Sequence, residues 1–255
     1  MMLKYLSFWT VLLSFSSVLQ AAPVGILSAL DIELELLLKE ANVREVIRIG
    51  GVDYYLADLG SSEVVLAKTG GYGILPSATT SILIHEFGVG QIIFSGIAGG
   101  VADQTHVLDV VVSSDFLVHD CGTITDAGFV WKADCGVAKD GSIPADARLR
   151  EVALAAATQV VGKARVFEGR IVSGEAFVSS PIYVDFLRDR FDAYAVESEG
   201  APVARVAYEF DIPVVAIRTL SDKADGKAEI SYENFSREAA DQSARIVLRM
   251  LNIIN

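Results

Sequence analysis

The chain has 255 residues, 52% of them hydrophobic, with 21 Gly and 6 Pro, which suits one large α/β domain and excludes a disordered polymer. Its 33 acidic residues outnumber 21 basic ones for a net charge of −12, so nucleic acid and anionic membrane surfaces are repelled rather than recruited as partners. With 3 His, 2 Cys and no CxxC spacing, no zinc site is expected, nor any other metal or cofactor.

Residues 1–22 read as a secretory signal peptide. Met1 to Lys4 carries one positive charge, Tyr5 to Leu19 is apolar, and Gln20-Ala21-Ala22-Pro23 offers small residues for cleavage. The alternative is an N-terminal anchor helix left uncleaved, but the apolar run falls short of the roughly 20 residues that a membrane span needs. The expectation is an exported protein, periplasmic or secreted, whose single domain covers 23–255 and is free of the membrane once the signal is removed. From Val24 onward, apolar β-branched runs alternate with amphipathic stretches. Strands are predicted over Val24–Ser28, Tyr54–Leu59, Glu63–Lys68, Gln91–Ser95, Asp109–Val118, Val166–Val172, Ala193–Val196 and Pro213–Thr219. Helices are predicted over Asp31–Ala41, Leu75–Phe87, Asp146–Ala157, Ile182–Arg190, Gly200–Phe210 and Phe235–Leu251. Such alternation implies a mostly parallel or mixed sheet with helices on both faces and a site at the loops beyond the strand ends. The weakly patterned stretch 120–143 reads as a surface hairpin or a loop over the site. It holds Cys121 and Cys135, which either pair or remain two free thiols.

Four strand-to-loop junctions concentrate polar residues and glycines. Gly25 to Glu33 runs a buried strand into an acidic helix start, where Asp31, Glu33 and Glu35 either complement the helix dipole or serve a site. Ser95-Gly96-Ile97-Ala98-Gly99-Gly100 reads as a tight turn or a close backbone approach, and it lacks the spacing of a phosphate loop. Glu197 and Glu199 sit two apart at a strand end, as a helix cap or as a pair facing one side. Arg218 and Asp222 bracket the end of a very apolar strand, a costly placement unless they pair or meet a polar ligand.

Taken in order, these junctions together with Ile171-Val172-Ser173-Gly174-Glu175-Ala176-Phe177 resemble the methylthioadenosine/S-adenosylhomocysteine nucleosidases of the nucleoside phosphorylase superfamily, from about Val24 to Leu251. The resemblance implies a three-layer α/β/α fold around a twisted mixed sheet, a homodimer, and a purine nucleoside as the small-molecule substrate. It places Glu33 as the base that activates water and Asp222 as the acid that protonates N7 of the leaving adenine. Glu199 would bind the ribose hydroxyls and Gly99 border the sugar. Phe177 would stack on the purine and the backbone of Val178 read its edge, while Arg218 and Ser221 orient the water and the aspartate. Tyr232 would line the pocket for the 5′ substituent. Two positions depart from the family: Ser198 stands where a Met usually packs beneath the nucleoside, and Ile97 where many members have a Ser.

The superfamily divides by nucleophile. Its phosphorylases grip phosphate with arginines in the first loop and before the glycine turn. Ser28 to Glu33 and Phe94 to Gly99 contain no basic residue here, so water is the expected nucleophile. The alternatives are a phosphate-dependent phosphorylase and a secreted, non-catalytic relative that binds or stores nucleosides.

Overall fold

A computed structural model describes residues 21–254. The signal-peptide reading rests on residues 1–22, of which 1–20 lie outside the described residues. In chain order the elements are β1 (Val24–Ser28), α1 (Asp31–Glu40), β2 (Asn42–Ile49), β3 (Val52–Leu59), β4 (Ser62–Lys68), α2 (Ile74–Phe87), β5 (Gln91–Gly100), β6 (Val110–Val118), β7 (Gly122–Thr125), β8 (Gly128–Trp131), β9 (Ser142–Pro144), α3 (Ala147–Val161), β10 (Val166–Ser173), α4 (Pro181–Phe191), β11 (Ala193–Glu197), α5 (Gly200–Glu209), β12 (Val214–Asp222) and α6 (Ala228–Ile254).

The main sheet runs β11-β10-β6-β12-β5-β1-β4-β3-β2, with β9 added beside β6. It is mixed: β1, β4, β5 and β12 run parallel to their neighbours in the centre, whereas β2, β3 and the β6–β12 pair are antiparallel. One face packs Leu34 and Leu37 of α1, Ala153 and Ala157 of α3 and Val247 and Met250 of α6 against Ile26, Leu66 and Val215. The other packs Leu83 of α2 and Val203 and Ala207 of α5 against Leu27, Phe94 and Ala216. Strands covered on both sides must be apolar throughout, which is why β1 and β12 are buried at every residue and carry near-continuous apolar runs. The three-layer α/β/α arrangement is the one expected.

The sheet also curls on itself. The end of β5 pairs antiparallel with β11, Gly99 opposite Val196 and Gly100 opposite Ala195, although β10, β6 and β12 lie between them along the sheet. This closure gathers the C-terminal ends of β5, β11 and β12 at one place. It also corrects the reading of Ser95 to Gly100 as a turn, because these residues continue β5 and are buried.

Cys121 and Cys135 are disulfide-bonded, with Cα atoms 6.1 Å apart. The bond closes the β7–β8 hairpin, which Trp131 anchors by donating Nε1–H to the Val118 carbonyl (2.9 Å) and packing edge-on against Phe191. A cross-link over a loop of this size contributes about 3 kcal/mol. The Cys121→Ser/Cys135→Ser double variant is expected to unfold several degrees below the parent and to be cut faster by protease between residues 122 and 134. Unchanged melting and cleavage would show that the anchored tryptophan alone holds the hairpin.

Candidate functional site

A cavity of about 430 Å³ opens where the strand ends meet, lined by Glu33, Gly99, Phe177, Ser198, Glu199, Ser221, Asp222 and Tyr232, together with Gly71, Tyr72, Ile97 and Glu197 among others. A larger groove of about 570 Å³ runs along α1 and the β2–β3 hairpin. Its Arg48 pairs with Asp53 and its Lys68 with Asp31, so these charges already have partners and the convergent unpaired acids lie in the smaller cavity.

Glu33 enters from the first turn of α1 and is buried. Its carboxylate accepts three backbone N–H bonds, from Ala29 (2.7 Å) and Leu30 (2.8 Å) on Oε2 and from Ile97 (2.9 Å) on Oε1. Glycine at position 96 makes this possible, because a Cβ there would lie 2.6 Å from Glu33 Oε1. Burial raises the Glu33 pKa against the opposing pull of Arg218 and the three amides. The result is a carboxylate held in one orientation and shifted toward the range in which a general base works.

Asp222 ends β12, 2% exposed, accepting from the Ala224 amide on Oδ1 (2.7 Å) and from the Ser221 hydroxyl on Oδ2 (2.8 Å). Burial raises its pKa, outweighing both hydrogen bonds. Gly99 leaves room for it, since a Cβ on that residue would lie 3.0 Å from Asp222 Oδ1.

Arg218 and Glu197 were not foreseen as a pair. Arg218 is 1% exposed, lies over the Phe94 ring at 4.0 Å and donates to Glu197 Oε2 at 2.7 Å. A buried guanidinium requires such a partner, and the pairing answers the cost of placing Arg on a core strand. Glu197, rather than Glu199, caps α5, accepting the Gly200 N–H at 2.8 Å and also taking a bond from the Ser173 hydroxyl. Glu199 makes no capping bond and faces the cavity. Burial and the neighbouring Glu197 charge push its pKa up to about 8.

The Glu199 shift makes stability depend on pH. The unfolded chain releases this proton near 4.5 and the folded chain keeps it to about 8, so between those values the native state binds more protons and stability falls as pH rises. Glu199→Gln is therefore expected to melt close to the parent at pH 5 and increasingly above it toward pH 9. A constant offset across that range would contradict the shift.

Of the ten residues singled out from sequence, eight line the cavity. Arg218 lies behind it on Glu197, and Val178 packs among Val101, Leu117, Val172 and Val184. Phe177 and Tyr232 meet edge to face across the opening, ring centres 6.2 Å apart. Glu197, one of the two acids read as a helix cap or a facing pair, proves to be the cap, while its ion pair with Arg218 and the Gly71–Tyr72 loop in the lining carry no assignment from the sequence. The signal for Glu197 was Arg218 itself, since a buried cation needs a buried anion. Among the described residues no group of His, Cys, Asp and Glu is placed to hold a metal ion.

Residues 23–252 match the family model of the phosphorylase superfamily. The 5′-methylthioadenosine/S-adenosylhomocysteine nucleosidase of Anoxybacillus flavithermus is 33% identical over 233 residues, covering 91% of this chain and 99% of that protein. The crystal structure of the Neisseria meningitidis 5′-methylthioadenosine/S-adenosylhomocysteine nucleosidase in complex with methylthio-immucillin-A superimposes with a TM-score of 0.83 at 33% identity, covering 91% of this chain and 99% of the other. Futalosine hydrolase of Helicobacter pylori superimposes with a TM-score of 0.81 at 29% identity, covering 91% and 98%. The chain belongs to the 5′-methylthioadenosine/S-adenosylhomocysteine nucleosidase family of the phosphorylase superfamily.

Proposed function

We propose that this cavity hydrolyses the N-glycosidic bond of a purine nucleoside such as 5′-methylthioadenosine or S-adenosylhomocysteine and releases adenine. The observation that carries it is the set of three acids, Glu33, Glu199 and Asp222, on a cavity whose lining contains no Lys, Arg or His. Cleaving the bond builds positive charge on the sugar and negative charge on the base. The Glu33 carboxylate on the sugar side favours the first, and a proton from Asp222 to N7 relieves the second. Glu33 takes the proton of the attacking water, Glu199 accepts hydrogen bonds from the ribose hydroxyls, and Phe177 stacks on the purine. The Val178 backbone reads the purine edge, Gly99 and Ser198 border the nucleoside, Ser221 orients Asp222, and Tyr232 lines the 5′ pocket. Arg218 acts through Glu197. A phosphate dianion would find acidic side chains and no cation in the lining, which supports water as the nucleophile.

The futalosine hydrolase likeness adds futalosine to the substrates worth testing, and Ser198, smaller than the Met usual in the family, loosens the contact beneath the nucleoside. Purified protein is expected to release adenine from methylthioadenosine, S-adenosylhomocysteine or both. Binding without turnover of any purine nucleoside would support the storage alternative instead.

We also propose that the protein acts outside the cytoplasm as a homodimer. Supporting export are the leader-like residues 1–22 and the Cys121–Cys135 bond, of a kind that persists in oxidising compartments. Supporting self-association are large exposed apolar side chains, Ile124 at 86%, Ile74 at 84% and Ile182 at 83% foremost.

A further inference from the structure

The loop between β4 and α2 carries Gly71 and Tyr72 into the cavity wall. A Cβ built on Gly71 would lie 3.5 Å from Glu199 Oε1, which places this loop on the sugar side rather than beside Asp222. Tyr72 has φ 68°, a left-handed conformation costly for a bulky aromatic and kept only where surroundings enforce it. The residue that follows it is held from far along the chain. The amide of Gly73, immediately after Tyr72, donates to Glu175 Oε1 at 2.9 Å. The first turn of α2 contains no acidic residue of its own, so Glu175 supplies the carboxylate that the helix start favours.

Glu175 is itself held. Its N–H donates to Asp120 Oδ2 at 2.7 Å, and Asp120 adjoins the disulfide-bonded Cys121. Two residues beyond Glu175 stands Phe177, which also lines the cavity. One hydrogen bond therefore joins the segment that bears Phe177 to the loop that bears Tyr72.

We propose that Glu175 is a positioning residue for the nucleosidase reaction, a latch that holds the Gly71–Tyr72 wall closed against the sugar side of the cavity. It is absent from the lining and hydrogen-bonds neither Glu33 nor Asp222, so it governs how firmly the nucleoside is held rather than how fast the bond breaks. The inference rests on the nucleosidase reading above.

The test is steady-state adenine release by the full chain and its variants. Glu175→Ala is expected to raise KM about tenfold, the size of one hydrogen bond to a charged group, with kcat changed less than about threefold. Glu175→Gln, whose amide oxygen accepts the same Gly73 N–H, is expected to restore most of the loss. If the latch acts through Tyr72, Glu175→Ala adds little once Tyr72→Gly has removed both the ring and the strain. A parental KM for Glu175→Ala, a loss confined to kcat, or additivity with Tyr72→Gly would overturn the latch while leaving the nucleosidase reading intact. Failure of the parent protein itself to release adenine would overturn that reading and the latch with it.

Discussion

Asp222→Asn is expected to lower kcat for adenine release by about 10²- to 10⁴-fold while leaving the fold and nucleoside binding in place. The leaving base must gain a proton as the bond breaks, and Asp222 is the acid that burial keeps protonated beyond the ordinary carboxylate range. An Asn side chain keeps the acceptor for the Ala224 amide, and the Ser221 hydroxyl can turn to accept from the new NH₂. Replacing the Asp therefore removes the proton and little else. Circular dichroism and nucleoside titration should show a folded, binding-competent protein, and parental kcat would remove Asp222 from the mechanism.

Glu33→Gln is expected to lower kcat over the same range but also to cost stability. All the Glu33 hydrogen bonds are accepted: two backbone amides converge on Oε2 and a third on Oε1. Gln offers one accepting oxygen, so its NH₂ must face a buried N–H that then has no partner. Leaving a buried donor unsatisfied costs about 1–3 kcal/mol. A fall in kcat together with a lower melting temperature is the expected signature, in contrast to the stable Asp222→Asn. If Glu33→Gln retained parental turnover, water activation would have to lie elsewhere.

Most of the architecture was legible because the central strands are covered on both faces and therefore spell continuous apolar runs, as β1 and β12 do. The strand β2 was missed for the converse reason. It lies at the sheet edge, and Arg44, Glu45 and Arg48 interrupt its apolar pattern on an exposed surface. The extension of β5 through Gly99 and Gly100 was masked by glycines, which signal turns until a bulky neighbour is known to need the space. At this position that neighbour is Asp222. The start of α6 was placed too late because Glu229, Ser231, Glu233 and Asn234 hide its periodicity, although this first part of the helix delivers Tyr232 to the cavity.

The acids of the site were visible as charges at strand ends, but their relations were not. Glu197 and Arg218 belong to β11 and β12, which are separated by β10 and β6 along the sheet. They meet only because β11 folds back onto β5, a closure that no local pattern encodes. The same closure separates the two glutamates of the Glu197–Glu199 segment into a structural anion and a cavity-facing one. Sequence could supply the residue types, whereas sheet curvature supplied the assignment.

The central claim, that water attacks the sugar, is tested most directly by running the reaction in ¹⁸O-labelled water with inorganic phosphate present and weighing the sugar product. The predicted result is a free sugar carrying one ¹⁸O, formed at a rate that phosphate does not change. A sugar 1-phosphate, or turnover that appears only when phosphate is added, would contradict it.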